Sequence, residues 1–239
     1  MRQTGLLSIS VILAVLLAAP HAALGYEEAT VSDGGTIEGK VVYQGTVPMR
    51  KVIPTKNPEV CGGIRDEPEI IVGGDKAVKD AVVYLAKVDK GKAWPATDAK
   101  PTLNNHKCIF EPRVQVMRAG TLVVKNSDPV LHNTHGFYGK RTAFNMALPN
   151  QGQEIPADLE REGTVRIECD VHGWMLGWVF VVDNPYYVVT GEDGSFSIAD
   201  VPPGDYTLIA THEYTGPMEI PVTVKAGVST SVPIELKKQ

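Results

Sequence analysis

Stretches in which apolar and polar positions alternate, or in which β-branched and aromatic residues run together, recur along the whole chain. Residues 36–43 alternate and run on to Gly45 and Pro48, which reads as a strand and its turn. The same pattern predicts strands at 81–86, 107–110, 113–117 and 121–125, with Ala119 and Gly120 turning the last pair. Asn126, Ser127, Asp128 and Pro129 make a turn sequence that leads into a strand ending at His132. Two more strands, 165–168 and 178–182, are joined by a tight connection, with Gly163 before the first and Gly177 before the second. From residue 186 onward the order is strand, tight turn, strand, proline turn, strand, with further strands at 220–224 and 231–236. Residues 51–69, broken by Pro54, Pro58 and Pro68, read as an irregular excursion; 87–101 reads as a linker or long loop, and 139–154 as a long polar stretch without pattern. No amphipathic helix of three turns is found; residues 156–162 suit a short helix, with a strand alternative through Ile155, Ala157 and Leu159. The expected fold class is all-β.

The connection between the strands at 165–168 and 178–182 carries Cys169, His172 and Met175, a thiol, an imidazole and a thioether within seven residues. These groups suit copper, because Cu(I) prefers soft sulfur, Cu(II) prefers nitrogen, and a trigonal His₂Cys set with a long axial Met serves both. His132, after the turn at 126–129, is placed to supply the second imidazole. A lone buried Cys or Met is ordinary core, and only their coincidence with His172 at one turn favours the metal. His135 lies three residues past His132, so on an extended strand the two face opposite sides; His135 is expected at the surface or beside a ligand. His106 reads as a loop residue, and His212 as a surface one.

Composition narrows the setting. Arg2, an uncharged run over residues 6–19 and small residues at 23 and 25 describe a secretory signal peptide over 1–25. The run is too short for a confident span, so no membrane span is expected after cleavage. The formal net charge of −5 argues against nucleic acid and anionic membrane surfaces, and leaves a bias toward basic protein partners. Three cysteines are an odd count for an oxidising compartment. With Cys169 a metal thiolate, Cys61 and Cys108 are left to pair; the competing Cys108–Cys169 bridge would destroy the site.

Two family resemblances follow. Over about 107–183 the chain resembles a cupredoxin of the amicyanin type. The resemblance rests on Phe110, Glu111 and Pro112 with Val114, Val116 and Gly120; on Asn126 six residues before His132 and Asn133; and on Gly163 and Thr164 ahead of Cys169, His172, Met175 and Gly177. It implies a Greek-key sandwich holding one type 1 copper ion on His132, Cys169, His172 and Met175, with Asn133 tying the two ligand loops together. Gly173 and Trp174 stand where amicyanin has Pro and Phe. The second resemblance is to the carboxypeptidase regulatory-like (transthyretin-like) module. Its second half looks like Thr190, Gly194, Phe196 and Ile198 followed by Val201, Pro202, Gly204, Tyr206 and Leu208; its first half looks like Gly39 and Val41 with Ala81, Val82 and Val83. The implied organisation is a regulatory-like β-sandwich over 35–90 and 185–239, interrupted by a copper domain over 100–184, with strands on the two sides pairing.

The expected function is that of a periplasmic or secreted blue copper protein that carries single electrons and is not an enzyme. A redox protein such as a cytochrome or a dehydrogenase would be its partner, and His172 the solvent-facing electron port. The alternatives are a copper-handling protein and a secreted binding module with a structural metal.

Overall fold

The structure is a computed structural model that describes residues 25–97 and 99–238. The signal peptide expected over 1–25 lies outside the described residues except for Gly25. Strands dominate, and the longest α-helix among the described residues is the four-residue Pro58–Cys61. Among these residues no helix is long and apolar enough to cross a membrane.

Two sheets face each other around the middle of the chain. One has the order Arg141–Leu148, His132–Tyr138, Gly163–Cys169, Leu176–Val182, Val114–Arg118; the other Glu154–Leu159, Gly120–Asn126, Thr102–His106, Ile109–Glu111. Most neighbours are antiparallel, but Leu176–Val182 runs parallel to Val114–Arg118, and Gly120–Asn126 parallel to Thr102–His106. Period-two alternation turns Val165, Ile167 and Cys169 to one face, where they join Leu103, Leu122, Val124 and Leu159 in one buried cluster. The thiol therefore closes a row of core side chains.

A second sandwich is built from both sides of this segment. Val82–Leu85 lies between Tyr187–Val189 and Gly204–His212, which in turn pairs with Gly216–Val224. Facing it, Gly35–Tyr43 pairs with Ser195–Val201, so that Ile37 and Ile198 are direct partners, both buried. Gly39 is required there because a Cβ would stand 2.1 Å from the Val232 carbonyl and 2.9 Å from the Phe196 ring. A small cluster of Val82, Val114 and Phe180 joins the two sandwiches.

The structure differs from the sequence pattern at several places. The strand expected at 107–110 is a hairpin: Lys107 and Cys108 turn at positive φ between Thr102–His106 and Ile109–Glu111. Thr102–His106 is polar along much of its length, and its buried Asn105 is satisfied by the Lys125 carbonyl and Thr134 Oγ1, which is why hydrophobicity did not reveal it. His132 opens a strand instead of ending one. The stretch at 139–154 holds the strand Arg141–Leu148, and 156–162 contributes to the strand Glu154–Leu159. The excursion at 51–69 is ordered by a hairpin of Met49–Val52 with Arg65–Pro68, braced by an Arg50–Glu67 ion pair of 2.7 Å. His212, expected at the surface, is 1 % exposed, because it ends the strand Gly204–His212 against Arg113 and Glu213 at the junction of the sandwiches.

Candidate metal centre

His132 is the first residue of its strand and Cys169 the last of the neighbouring one. The pairing of Thr134 with Cys169 sets the two side chains at the same end of the sheet. Past Cys169 the chain turns over residues 172–175, with the Met175 amide donating to the His172 carbonyl at 2.9 Å. Cys169 Sγ is 3.8 Å from His132 Nδ1 and 3.7 Å from His172 Nδ1, and the two nitrogens are 3.1 Å apart.

These three edges test whether an ion fits. A first-row ion sits about 2.0 Å from imidazole nitrogen and about 2.3 Å from thiolate sulfur. A point in the plane of the triangle about 2.0 Å from both nitrogens lies about 2.2 Å from the sulfur. The set is therefore sized for a trigonal ion with no movement of the protein.

Hydrogen bonding fixes which nitrogen faces inward. His132 Nε2 lies 2.9 Å from Asp128 Oδ2, and His172 Nε2 lies 3.1 Å from Asn57 Oδ1. Both partners are acceptors, so each ring carries its proton on Nε2 and presents the Nδ1 lone pair to the centre. Asp128 is itself oriented by the amides of Lys107 and Cys108, which donate to it at 2.7 and 2.9 Å. Burial depresses the pKa of His132 against the opposing pull of Asp128, and burial followed by the charges of His132 and Lys56 lowers that of His172 to about 4. Both rings are thus neutral and ready to donate at neutral pH.

Met175 is 1 % exposed and belongs to the same buried cluster as Cys169. Asn133 joins the two ligand loops through its main chain: its amide donates to Cys169 Sγ at 3.5 Å, and its carbonyl accepts the Asp170 amide at 3.1 Å. Its side-chain Oδ1 is buried without a partner among the described residues. Cys61 and Cys108 form a disulfide, and Cys169 is a free, buried thiol. His135 takes no part in the triangle; its ring bonds Asp170 at 3.2 Å and Thr142 at 3.0 Å. His106 ends its strand in contact with Glu111 at 2.9 Å.

One expectation is overturned. His172 is fully buried instead of solvent-facing, because the excursion at 51–69 lies over it. Asn57, in the left-handed region at φ 51° and ψ 46°, caps the helix Pro58–Cys61 and meets the imidazole; the disulfide then tethers that helix to Cys108. Trp174 closes the other side, its indole donating to the Cys108 carbonyl at 3.2 Å. Asp128 and Asn57 were not legible as site residues. For Asp128 the one signal was its place four residues before His132; Asn57, 115 residues from His172, had none.

No family model and no curated protein matches the chain. Among solved structures it is similar to the purple cupredoxin of Nitrosopumilus maritimus, at 24 % identity over 35 % of this chain and 100 % of that one, with a TM-score of 0.31. It is also similar to amicyanin from Paracoccus versutus, at 15 % identity over 37 % of this chain and 86 % of that one, TM-score 0.32. The reduced state of an amicyanin with a proline-to-phenylalanine substitution gives 21 % identity over 37 % of this chain and 87 % of that one, TM-score 0.32.

Proposed function

We propose that the chain is an exported type 1 copper protein that carries single electrons between redox partners. The reading rests above all on the Nδ1, Nδ1, Sγ triangle, whose edges suit one ion and whose two imidazoles already have their outer nitrogens engaged. Bound copper would supply a one-electron couple between Cu(I) and Cu(II). Cys169 would hold it as thiolate and His132 and His172 as neutral donors, with Met175 as a weak fourth ligand. Asp128 and Asn57 keep both imidazoles in one tautomer and orientation, so the same donor set meets either oxidation state with little rearrangement. The hydrogen bond from the Asn133 amide draws charge from the sulfur and so favours Cu(I).

The compartment would be periplasmic or secreted, in keeping with the leader expected at 1–25. A redox protein would dock where apolar side chains next to site residues in the chain remain exposed: Leu131 beside His132, and Ile109 beside Cys108. Such contacts are small and brief. No residue constellation for bond-making chemistry is needed for this role.

The test is the visible spectrum of the purified chain with one equivalent of Cu(II), set beside Cys169→Ser. A strong thiolate charge-transfer band in the parent chain and its loss in the variant are expected. A parent chain that binds Cu(II) and stays colourless would overturn the proposal.

A further inference from the structure

The disulfide lies against the candidate metal centre. The sulfurs of Cys61 and Cys108 and a ring nitrogen of His172 all lie within 4.8 Å of one another, as do those of His132, Cys169 and His172. Four potential soft or borderline donors thus flank the His172 imidazole, two on each side. Cys108 also clusters with Asp128 and His132, but the Asp128 oxygens are already occupied by two main-chain amides and His132 Nε2, which leaves it an orienting group.

We infer that reduction of the Cys61–Cys108 bond creates a second, conditional Cu(I) site on those two sulfurs, next to the first across His172. The inference rests on the copper reading of the inner triangle. A dithiol is the reductant: one of its thiolates attacks Cys61 Sγ, the bond between the cysteines breaks, and Cys108 leaves as thiolate. The second thiol of the reductant then displaces Cys61 and leaves as part of the reductant's own disulfide. Two electrons pass to the cysteine pair, and the protons of the two thiols go to solvent as the ion binds.

Position and chemistry both favour this occupant. Cys61 is the reachable end: it is 5 % exposed against 0 % for Cys108, and it ends a four-residue helix followed by the exposed Gly62 and Gly63. Thiolate pairs select Cu(I) over harder ions. The short helix can shift once the tether opens, which lets the sulfurs move apart to the spacing that an ion between them requires. Three thiolates and two Cu(I) leave one negative charge, and the Lys56 ammonium is close enough to act on His172 from the same excursion. The disulfide would therefore both hold the cap shut and keep the chain to one ion, and its reduction would turn a carrier into a copper-accepting form.

The experiment uses the full mature chain, oxidised or dithiol-reduced and desalted without oxygen, titrated with Cu(I) against a chromophoric Cu(I) chelator. One ion per oxidised chain and two per reduced chain are expected, with Cys61→Ser/Cys108→Ser returning to one. Alkylation of the loaded, reduced parent chain gives a readout that does not depend on the variant folding: all three cysteines should be protected. One ion in the reduced chain, with Cys61 and Cys108 alkylated and Cys169 protected, would overturn the inference and leave the inner site standing. No ion when oxidised and one when reduced, with Cys61 and Cys108 protected, would support the second site and overturn the inner one.

Discussion

Asn57 Oδ1 and His172 Nε2 lie 3.1 Å apart although 115 residues separate them, and that contact closes the solvent side of the candidate metal centre. Truncating Asn57 to Ala should remove the acceptor and admit water to the imidazole edge. The expected loss of stability is about 1 kcal/mol, read by chemical unfolding, together with faster electron exchange of the copper-loaded chain with a small redox dye. An unchanged rate would show that the cap does not control access.

Asp128 acts on the other imidazole. Asp128→Asn keeps the shape but substitutes a neutral acceptor for a carboxylate that bonds His132 Nε2 and two amides. Losing such an outer partner costs roughly 10–100-fold in metal affinity. Chelator competition measures it, and a parent-like affinity would reduce Asp128 to a tie within its turn.

With Met175 as the proposed weak ligand, Met175→Leu should leave the charge-transfer band largely in place while raising the reduction potential, since a lost donor destabilises Cu(II) more than Cu(I). Voltammetry of the two proteins decides it. A potential that falls or stays constant contradicts the assignment.

Between the two sandwiches, burial pushes the Glu213 carboxyl up to about 7 against the pull of Arg113, and burial followed by the Arg113 charge pushes His212 down to about 3. The Tyr214 amide donates to His212 Nδ1 at 3.1 Å, as a neutral ring requires. From pH 4.5 to about 7 the folded chain keeps a Glu213 proton that the unfolded chain has lost, so this group's contribution falls as pH rises. From about 3 to 6.5 the unfolded chain holds a His212 proton that the folded chain lacks, so that contribution rises with pH. Each slope is about 1.4 kcal/mol per pH unit, and they cancel where the windows overlap. Relative to the parent, Glu213→Gln should therefore gain stability as pH rises from 4.5 to about 7, and His212→Asn should lose it from about 3 to 6.5. Urea unfolding across this range tests both; parallel curves for all three proteins would refute the assignment.

Strands were legible where apolar residues alternate along the chain, because that alternation is itself the burial pattern. The runs that became Gly35–Tyr43, Gly163–Cys169 and Leu176–Val182 could be read this way. Thr102–His106 could not, since its inward Asn105 is satisfied by partners 20 and 29 residues away. The donor types of the centre were equally plain: Cys169, His172 and Met175 share one turn, and their chemistry is a property of the residues themselves. What surrounds them belongs to the tertiary structure alone. The burial of His172 under Asn57, the choice of Nδ1 by Asp128, and the approach of Cys61 and Cys108 to the imidazole all depend on segments far apart in the chain. Local pattern records which face of a strand avoids water, but it carries no trace of which distant loop comes to rest on it.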